Sequence, residues 1–179
     1  VVSFLGYLLL LGSGVLFIAW RKDWRILNYI GFAATSLLTL KAVDAGFSPE
    51  RFWEFMPFLI GFFTLFSTAT FLYHLVSKQK ATLLELLFLF LNASVFLAFS
   101  VHLVENTFSR EAIAFVTLGL AVFYVGHIAY FLRKNIEDKG LLLSFMGLSS
   151  VFVAITLPLV LSKGWITASW ATQGFVMLW

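Results

Sequence analysis

The fold of this chain is decided by a stretch at residues 81–104, ATLLELLFLFLNASVFLAFSVHLV. The stretch contains no Lys or Arg, and Glu85 is its only carboxylate. An apolar run of about 18 or more residues is long enough for an α-helix to cross the hydrocarbon layer of a bilayer. This run therefore predicts a transmembrane helix.

Similar apolar runs continue along the whole chain. Hydrophobic residues make up 61% of the sequence and charged residues 12%, against roughly half and roughly a quarter in an ordinary soluble domain. Six full runs and the start of a seventh lie at residues 1–20, 26–43, 55–76, 81–104, 112–132, 140–161 and from 165 onward. An α-helix forms all of its backbone hydrogen bonds internally, as a segment in lipid must. The alternation of polar and apolar residues that is typical of a membrane β-barrel is absent. The sequence predicts an all-α polytopic transmembrane helical bundle with about six full spans and a partial seventh.

The runs also indicate an internal repeat. Residues 93–104, ASVFLAFSVHLV, and 149–160, SSVFVAITLPLV, are identical at six of twelve aligned positions. Each unit would be a helical hairpin with a basic turn, and stacked units of this kind form extended arrays. The single transmembrane domain then divides into units at about 1–45, 46–107 and 108–163 and a truncated unit at 164–179. We expect the chain to be a segment of a longer protein.

Basic residues predict the orientation of the helices. Eight of the twelve Lys and Arg residues follow the first, third and fifth runs, in loops 21–25, 77–80 and 133–139. Cytoplasmic loops carry an excess of Lys and Arg, so these three loops are predicted to be cytoplasmic and Val1 external. Because the basic residues sit in short loops between apolar runs, the net charge of +3 does not indicate nucleic-acid binding.

No cofactor, metal site or catalytic residue is predicted. The chain has no Cys, which excludes disulfides, thiolate metal sites and iron–sulfur clusters. His74 and His127 both fall toward the cytoplasmic ends of their helices, and two imidazoles on facing helices could ligate one haem iron. Interfacial imidazoles in contact with water are the simpler explanation, so these two residues are weak haem candidates.

The closing residues 164–179, GWITASWATQGFVMLW, place polar groups in the middle of an apolar run. Ser169, Thr172 and Gln173 are three and four residues apart and share one face of a helix. They would either line a substrate or ion path or form hydrogen bonds with a neighbouring helix. We favour helix packing.

Two residues of the fourth run complete this candidate intramembrane polar groove. Asn92 lies near the centre of the run and is better explained by an interhelical hydrogen bond than by a ligand role. Glu85 lies two turns earlier, within reach of the interface, where Lys78 or Lys80 could pair with it. A buried, proton-carrying Glu85 is the alternative.

The closing segment resembles the pattern W-[IL]-T-x-x-W-x-x-[EQ]-G-x-x-x-x-W of a bacterial family of very long, multi-spanning predicted membrane proteins of unknown function (DUF2339). Residues that fit this pattern are Trp165, Thr167, Trp170, Gly174 and Trp179. Gln173 stands where the family most often has Glu. The segment SKQKATLLELLFLFLNA, residues 77–93, is also similar to the family's hairpins. The resemblance implies a bacterial inner-membrane location and a parent protein with many more helices.

Two classes of function fit these observations. The favoured one is a non-enzymatic transmembrane scaffold or transporter-like domain of a larger bacterial envelope protein or complex. Its partners would be membrane lipids, and further helices of the parent protein or partner membrane subunits. The alternative is a membrane-embedded enzyme acting on a lipid or glycan through Glu85, His102 or Glu105. Acid–base catalysis requires at least two such groups close together, but the carboxylates and histidines do not cluster at one depth. The sequence therefore favours the first class.

Overall fold

The computed structural model describes residues 1–22, 25–77, 81–134, 138–161 and 163–177, and this part of the chain is almost entirely helical. It contains seven α-helices: α1 Val2–Lys22, α2 Arg25–Gly46, α3 Phe52–Ser77, α4 Leu83–Thr107, α5 Ile113–Lys134, α6 Lys139–Val160 and α7 Lys163–Met177. The short 3₁₀ turns Pro49–Arg51 and Arg110–Ala112 precede α3 and α5. The all-α prediction is confirmed, and the predicted helix ends lie within three residues of the observed ones.

Several helices are suited to a lipid environment by length and composition. Four described segments are long and apolar enough to cross a bilayer: Ile26–Gly46, Leu83–Thr107, Arg110–Lys134 and Lys139–Val160. Within α1, the apolar stretch Val2–Ile18 is shorter. Large apolar side chains are also exposed, including Phe115 at 79% and Leu83 at 74%. A helix that is apolar on all sides belongs in a large core or a membrane. The count of six full spans and a partial seventh stays a prediction.

The helices form two compact units, Val1–Thr107 with α1 to α4 and Phe108–Trp179 with α5 to α7. The first unit has an aromatic core to which all four helices contribute. Phe32 of α2 packs edge-on against Phe66 of α3 and Phe88 of α4, with ring centroids 5.3 and 5.0 Å apart. Leu16 of α1 belongs to the same buried cluster. Edge-to-face pairs contribute about 0.5–1.5 kcal/mol each beyond the area that they bury.

The second unit is built on the antiparallel hairpin of α5 and α6. Tyr124 of α5 stacks on Phe152 of α6 with ring centroids 6.0 Å apart. One to two turns along the same hairpin, the Thr156 hydroxyl donates a hydrogen bond to Thr117 Oγ1 at 2.7 Å, and Thr117 is fully buried. Asp138 begins α6 as its N-cap, because its carboxylate accepts a hydrogen bond from the backbone N–H of Leu141. α7 then packs against α6.

Candidate functional site

Two side chains of α7 donate hydrogen bonds to the backbone of α6. Gln173 Nε2 donates to the carbonyl oxygen of Ser150 at 2.7 Å and lies 2.8 Å from Ser150 Oγ. Trp170 Nε1 donates to the carbonyl oxygen of Ala154 at 3.2 Å. The two donors are three residues apart on α7, and the two acceptors are four residues apart on α6, so the two hydrogen bonds are about one helical turn apart on one face of each helix. The order of the residues is reversed between the two helices, because the chain runs in opposite directions in α6 and α7. We call these two bonds the α6–α7 seam.

The Ala154 carbonyl depends on this partner because of a proline one turn later. α6 continues through Pro158, and proline has no N–H for the carbonyl four residues before it, which here is that of Ala154. A backbone group without a partner is costly in lipid, where no water replaces the lost bond. The indole of Trp170 supplies the hydrogen bond that Pro158 removes.

The three polar residues predicted to share a face of α7 do not behave alike. Gln173 is half-buried and bonds α6, whereas Thr172 is exposed and its Oγ1 donates to the Ala168 carbonyl of its own helix at 2.9 Å. Ser169 is half-buried. The sequence did not single out Trp170 for this contact, although it is the second donor of the seam.

Asn92 makes a comparable interhelical contact in the first unit. Its Nδ2 donates to the Phe63 carbonyl at 3.1 Å and to Ser67 Oγ at 2.8 Å, both on α3, and the residue is 3% exposed. Beside Asn92 lies a cavity of about 30 Å³ that is also lined by Thr35 and Thr39 of α2. That volume accommodates about one water molecule.

Glu85 lies in the first turn of α4, where it completes a capping box with Thr82. The Glu85 carboxylate accepts hydrogen bonds from Thr82 N at 2.7 Å and from Thr82 Oγ1 at 2.8 Å, while Glu85 N lies 3.4 Å from Thr82 Oγ1. The sequence signal of this arrangement is T-x-x-E immediately before an apolar run. The proposed partners Lys78 and Lys80 lie outside the described residues.

His127 and His102 are the histidines whose side chains the structure describes. His127 is half-buried, with Nδ1 2.9 Å from the Phe123 carbonyl oxygen and its ring 5.2 Å from that of Phe145. His102 is exposed on α4, and the side chain of His74 lies outside the described part of the chain. Within that part, no group of three or more His, Asp and Glu residues is placed to hold a metal ion.

A family model matches the chain over residues 1–179, and its description is Predicted membrane protein (DUF2339). The chain belongs to this family. The match confirms the resemblance carried by the closing motif, and it agrees with the four apolar helices in describing a multi-pass membrane protein. No curated protein and no solved structure matches the DUF2339 chain. Within its motif, Trp170 and Gln173 are the two side chains that form the α6–α7 seam.

Proposed function

We propose that this DUF2339 chain is a non-enzymatic transmembrane scaffold, in which polar side chains hold apolar helices in register. The main support for this proposal is the α6–α7 seam, where Trp170 and Gln173 both donate hydrogen bonds to backbone carbonyls of α6. Polar groups inside membrane helices either pack helices together or line a path. Donors that are already bonded to a neighbouring helix are not available to a passing solute, and this supports packing.

The scaffold that we propose has six full spans and a partial seventh. α1 and α3 contain 21 and 26 residues, which at 1.5 Å per residue gives about 31 and 39 Å, enough for a hydrocarbon layer of ~30 Å. α7 has 15 residues and reaches about 22 Å. The spans would form the hairpin units 1–45, 46–107 and 108–163 and a further unit beginning at 164.

In this arrangement the basic loops 21–25, 77–80 and 133–139 face the cytoplasm of a bacterium, across its inner membrane. Lys and Arg are retained on that side during insertion. The partners of the scaffold are membrane lipids, and further helices of a parent protein or of partner membrane subunits. Apolar side chains exposed along the described helices, such as Phe115 and Leu83, provide surface for both.

A transporter-like role is the second candidate, and the cavity beside Asn92 favours it. Thr35, Thr39 and Asn92 are among its lining residues, and polar residues of these kinds line solute paths in membrane proteins. The cavity is small, however, at about 30 Å³. A path would require it to open in another conformation.

Accessibility to water separates the two roles, and the chain is well suited to the measurement because it has no Cys. Single substitutions Gln173→Cys and Asn92→Cys would be exposed to a membrane-impermeant thiol reagent from both sides of the membrane. We expect neither to react, because both positions pack between helices. Ser109→Cys, in the exposed connection before α5, is the reactive control. Labelling of Gln173→Cys or Asn92→Cys at the rate of Ser109→Cys would indicate a water-filled path and refute the scaffold.

A further inference from the structure

A groove of about 630 Å³ lies in the second unit, bounded by α6, α7 and the 3₁₀ turn before α5. Apolar residues of α6 within 151–159 form its floor, Trp170 of α7 lines it, and Arg110 and Glu111 contribute its charged groups. Sites for small molecules and cofactors typically have volumes of about 300–1,000 Å³ and mostly apolar linings. The groove has the size and composition of a ligand site.

The groove is charged at one end and apolar along its length. Val151 and Pro158 are seven residues apart on α6, which is about 10 Å along the helix axis. In the antiparallel hairpin Thr117 lies opposite Thr156, so Arg110 and Glu111, which precede Thr117, lie beyond Thr156 toward the end of α6. The charges therefore stand at the Pro158 end and the Val151 end is apolar. This polarity matches an amphiphile whose chain lies along α6.

The charged end carries both signs on adjacent, exposed residues. The Arg110 guanidinium forms no salt bridge within the part of the chain that the structure describes, and a guanidinium binds phosphate through paired N–H donors. The Glu111 carboxylate is exposed and offers acceptor sites for an ammonium group. A headgroup with a phosphate and an ammonium satisfies both residues, whereas a purely anionic headgroup would be repelled by Glu111.

Trp170 offers the groove an apolar surface. Its only donor, Nε1–H, is bonded to the Ala154 carbonyl, and the side chain is still 52% exposed. An indole whose N–H is already bonded contacts an acyl chain without leaving a polar group unpaired. The seam thus gives the groove its apolar wall.

We propose that this groove binds one phospholipid with a zwitterionic headgroup that carries a primary ammonium, such as phosphatidylethanolamine. The phosphate lies on Arg110, the ammonium on Glu111, and an acyl chain follows residues 151–159 alongside Trp170. The site goes beyond the scaffold role and does not depend on it.

Native mass spectrometry of the full chain in detergent tests this site with three added lipids: phosphatidylethanolamine, phosphatidylglycerol and phosphatidylcholine. We expect one phosphatidylethanolamine to be retained, in preference to the other two. Arg110→Gln should weaken its retention at least about tenfold, as loss of a hydrogen bond to a charged group does. Val151→Trp fills the groove without changing a charge and should also remove the bound lipid. Lys41→Gln deletes an exposed cation of the first unit and is the matched control, expected to bind normally.

Three outcomes would overturn the proposal. If phosphatidylglycerol is retained as well as phosphatidylethanolamine, the groove attracts anionic headgroups in general and does not recognise an ammonium group. Retention unchanged by both Arg110→Gln and Val151→Trp would place the bound lipid elsewhere on the protein. A dimer that Val151→Trp converts to a monomer would show that a second copy of the chain occupies the groove. If Arg110→Gln fails to fold, as judged by circular dichroism, Val151→Trp and the headgroup preference of the unaltered chain decide.

Discussion

At the start of α4, Thr82 and Glu85 exchange hydrogen bonds that would otherwise be missing from the first helical turn. The first N–H groups of a helix have no partner within the helix, and a capping box satisfies two of them. The Glu85 carboxylate accepts two hydrogen bonds from Thr82, one from its backbone N–H and one from its hydroxyl. The residue therefore acts on the stability of α4 in this account.

Substitutions at the box provide a direct check. Thr82→Ala and Glu85→Ala should each lower the free energy of unfolding by about 1 kcal/mol, and the double variant should lose less than the sum because the two residues act together. Glu85→Gln should retain most of the stability, since Gln also completes the box. Reversible unfolding in mixed micelles measures all four. If Glu85→Gln is as unstable as Glu85→Ala, the carboxylate has another role.

Among the helices, the sequence was informative about boundaries and poor about partners. Long apolar runs separated by charged loops predicted both ends of α1 to α6 and the start of α7 to within three residues, because a lipid-spanning segment needs about 20 apolar residues. Partners are harder to predict since a helix in lipid is apolar on all sides and has no 3.6-residue stripe to mark its packed face. Trp170 and Ala154 are sixteen residues apart in the sequence, and the packing of α7 on α6 brings them together. The T-x-x-E signal at residues 82–85, in contrast, was visible in the sequence.

The packing of α7 on α6 gives a prediction at this scale. Gln173→Leu removes the bonds to Ser150 and should lower the free energy of unfolding by about 0.6 kcal/mol, and by no more than about 1.7, as such bonds do in membrane proteins. Thr172→Leu is the control, because Thr172 is exposed and its described hydrogen bond stays within α7; we expect almost no change. Unfolding monitored by the helical circular-dichroism signal compares the two. Equal losses would mean that Gln173 does not hold α7 in place.

For the whole molecule, the distribution of basic residues predicts which loops face the cytoplasm. Single cysteines at Gln79 and Asn135, which lie outside the described residues, should react only with reagent that reaches the cytoplasm. Cysteines at Ser48 and Ser109 should react only from the external side, because the flanking helices return the chain across the bilayer. Modification of intact cells and of inverted vesicles distinguishes the sides. Labelling of all four positions from one side would contradict the six-span topology.

The proposed scaffold role depends on polar side chains that form hydrogen bonds with a neighbouring helix. The most specific of these bonds is the one from Trp170 to the Ala154 carbonyl. Pro158→Ala restores the N–H that α6 lacks, so the Ala154 carbonyl would regain a partner in its own helix. Trp170→Phe removes the indole donor and keeps an aromatic ring. The two changes should therefore depend on each other.

A double-mutant cycle of Pro158→Ala and Trp170→Phe, followed by reversible unfolding in lipid-free micelles, measures that dependence. Trp170→Phe alone should lower the free energy of unfolding by about 1 kcal/mol, since it leaves a carbonyl without its partner. In the chain that also carries Pro158→Ala, the same change should have a clearly smaller effect, with a coupling energy of about 0.5 kcal/mol or more. If Trp170→Phe lowers the free energy of unfolding by the same amount with and without Pro158→Ala, Trp170 does not replace the hydrogen bond that Pro158 removes, and the account of the seam is wrong.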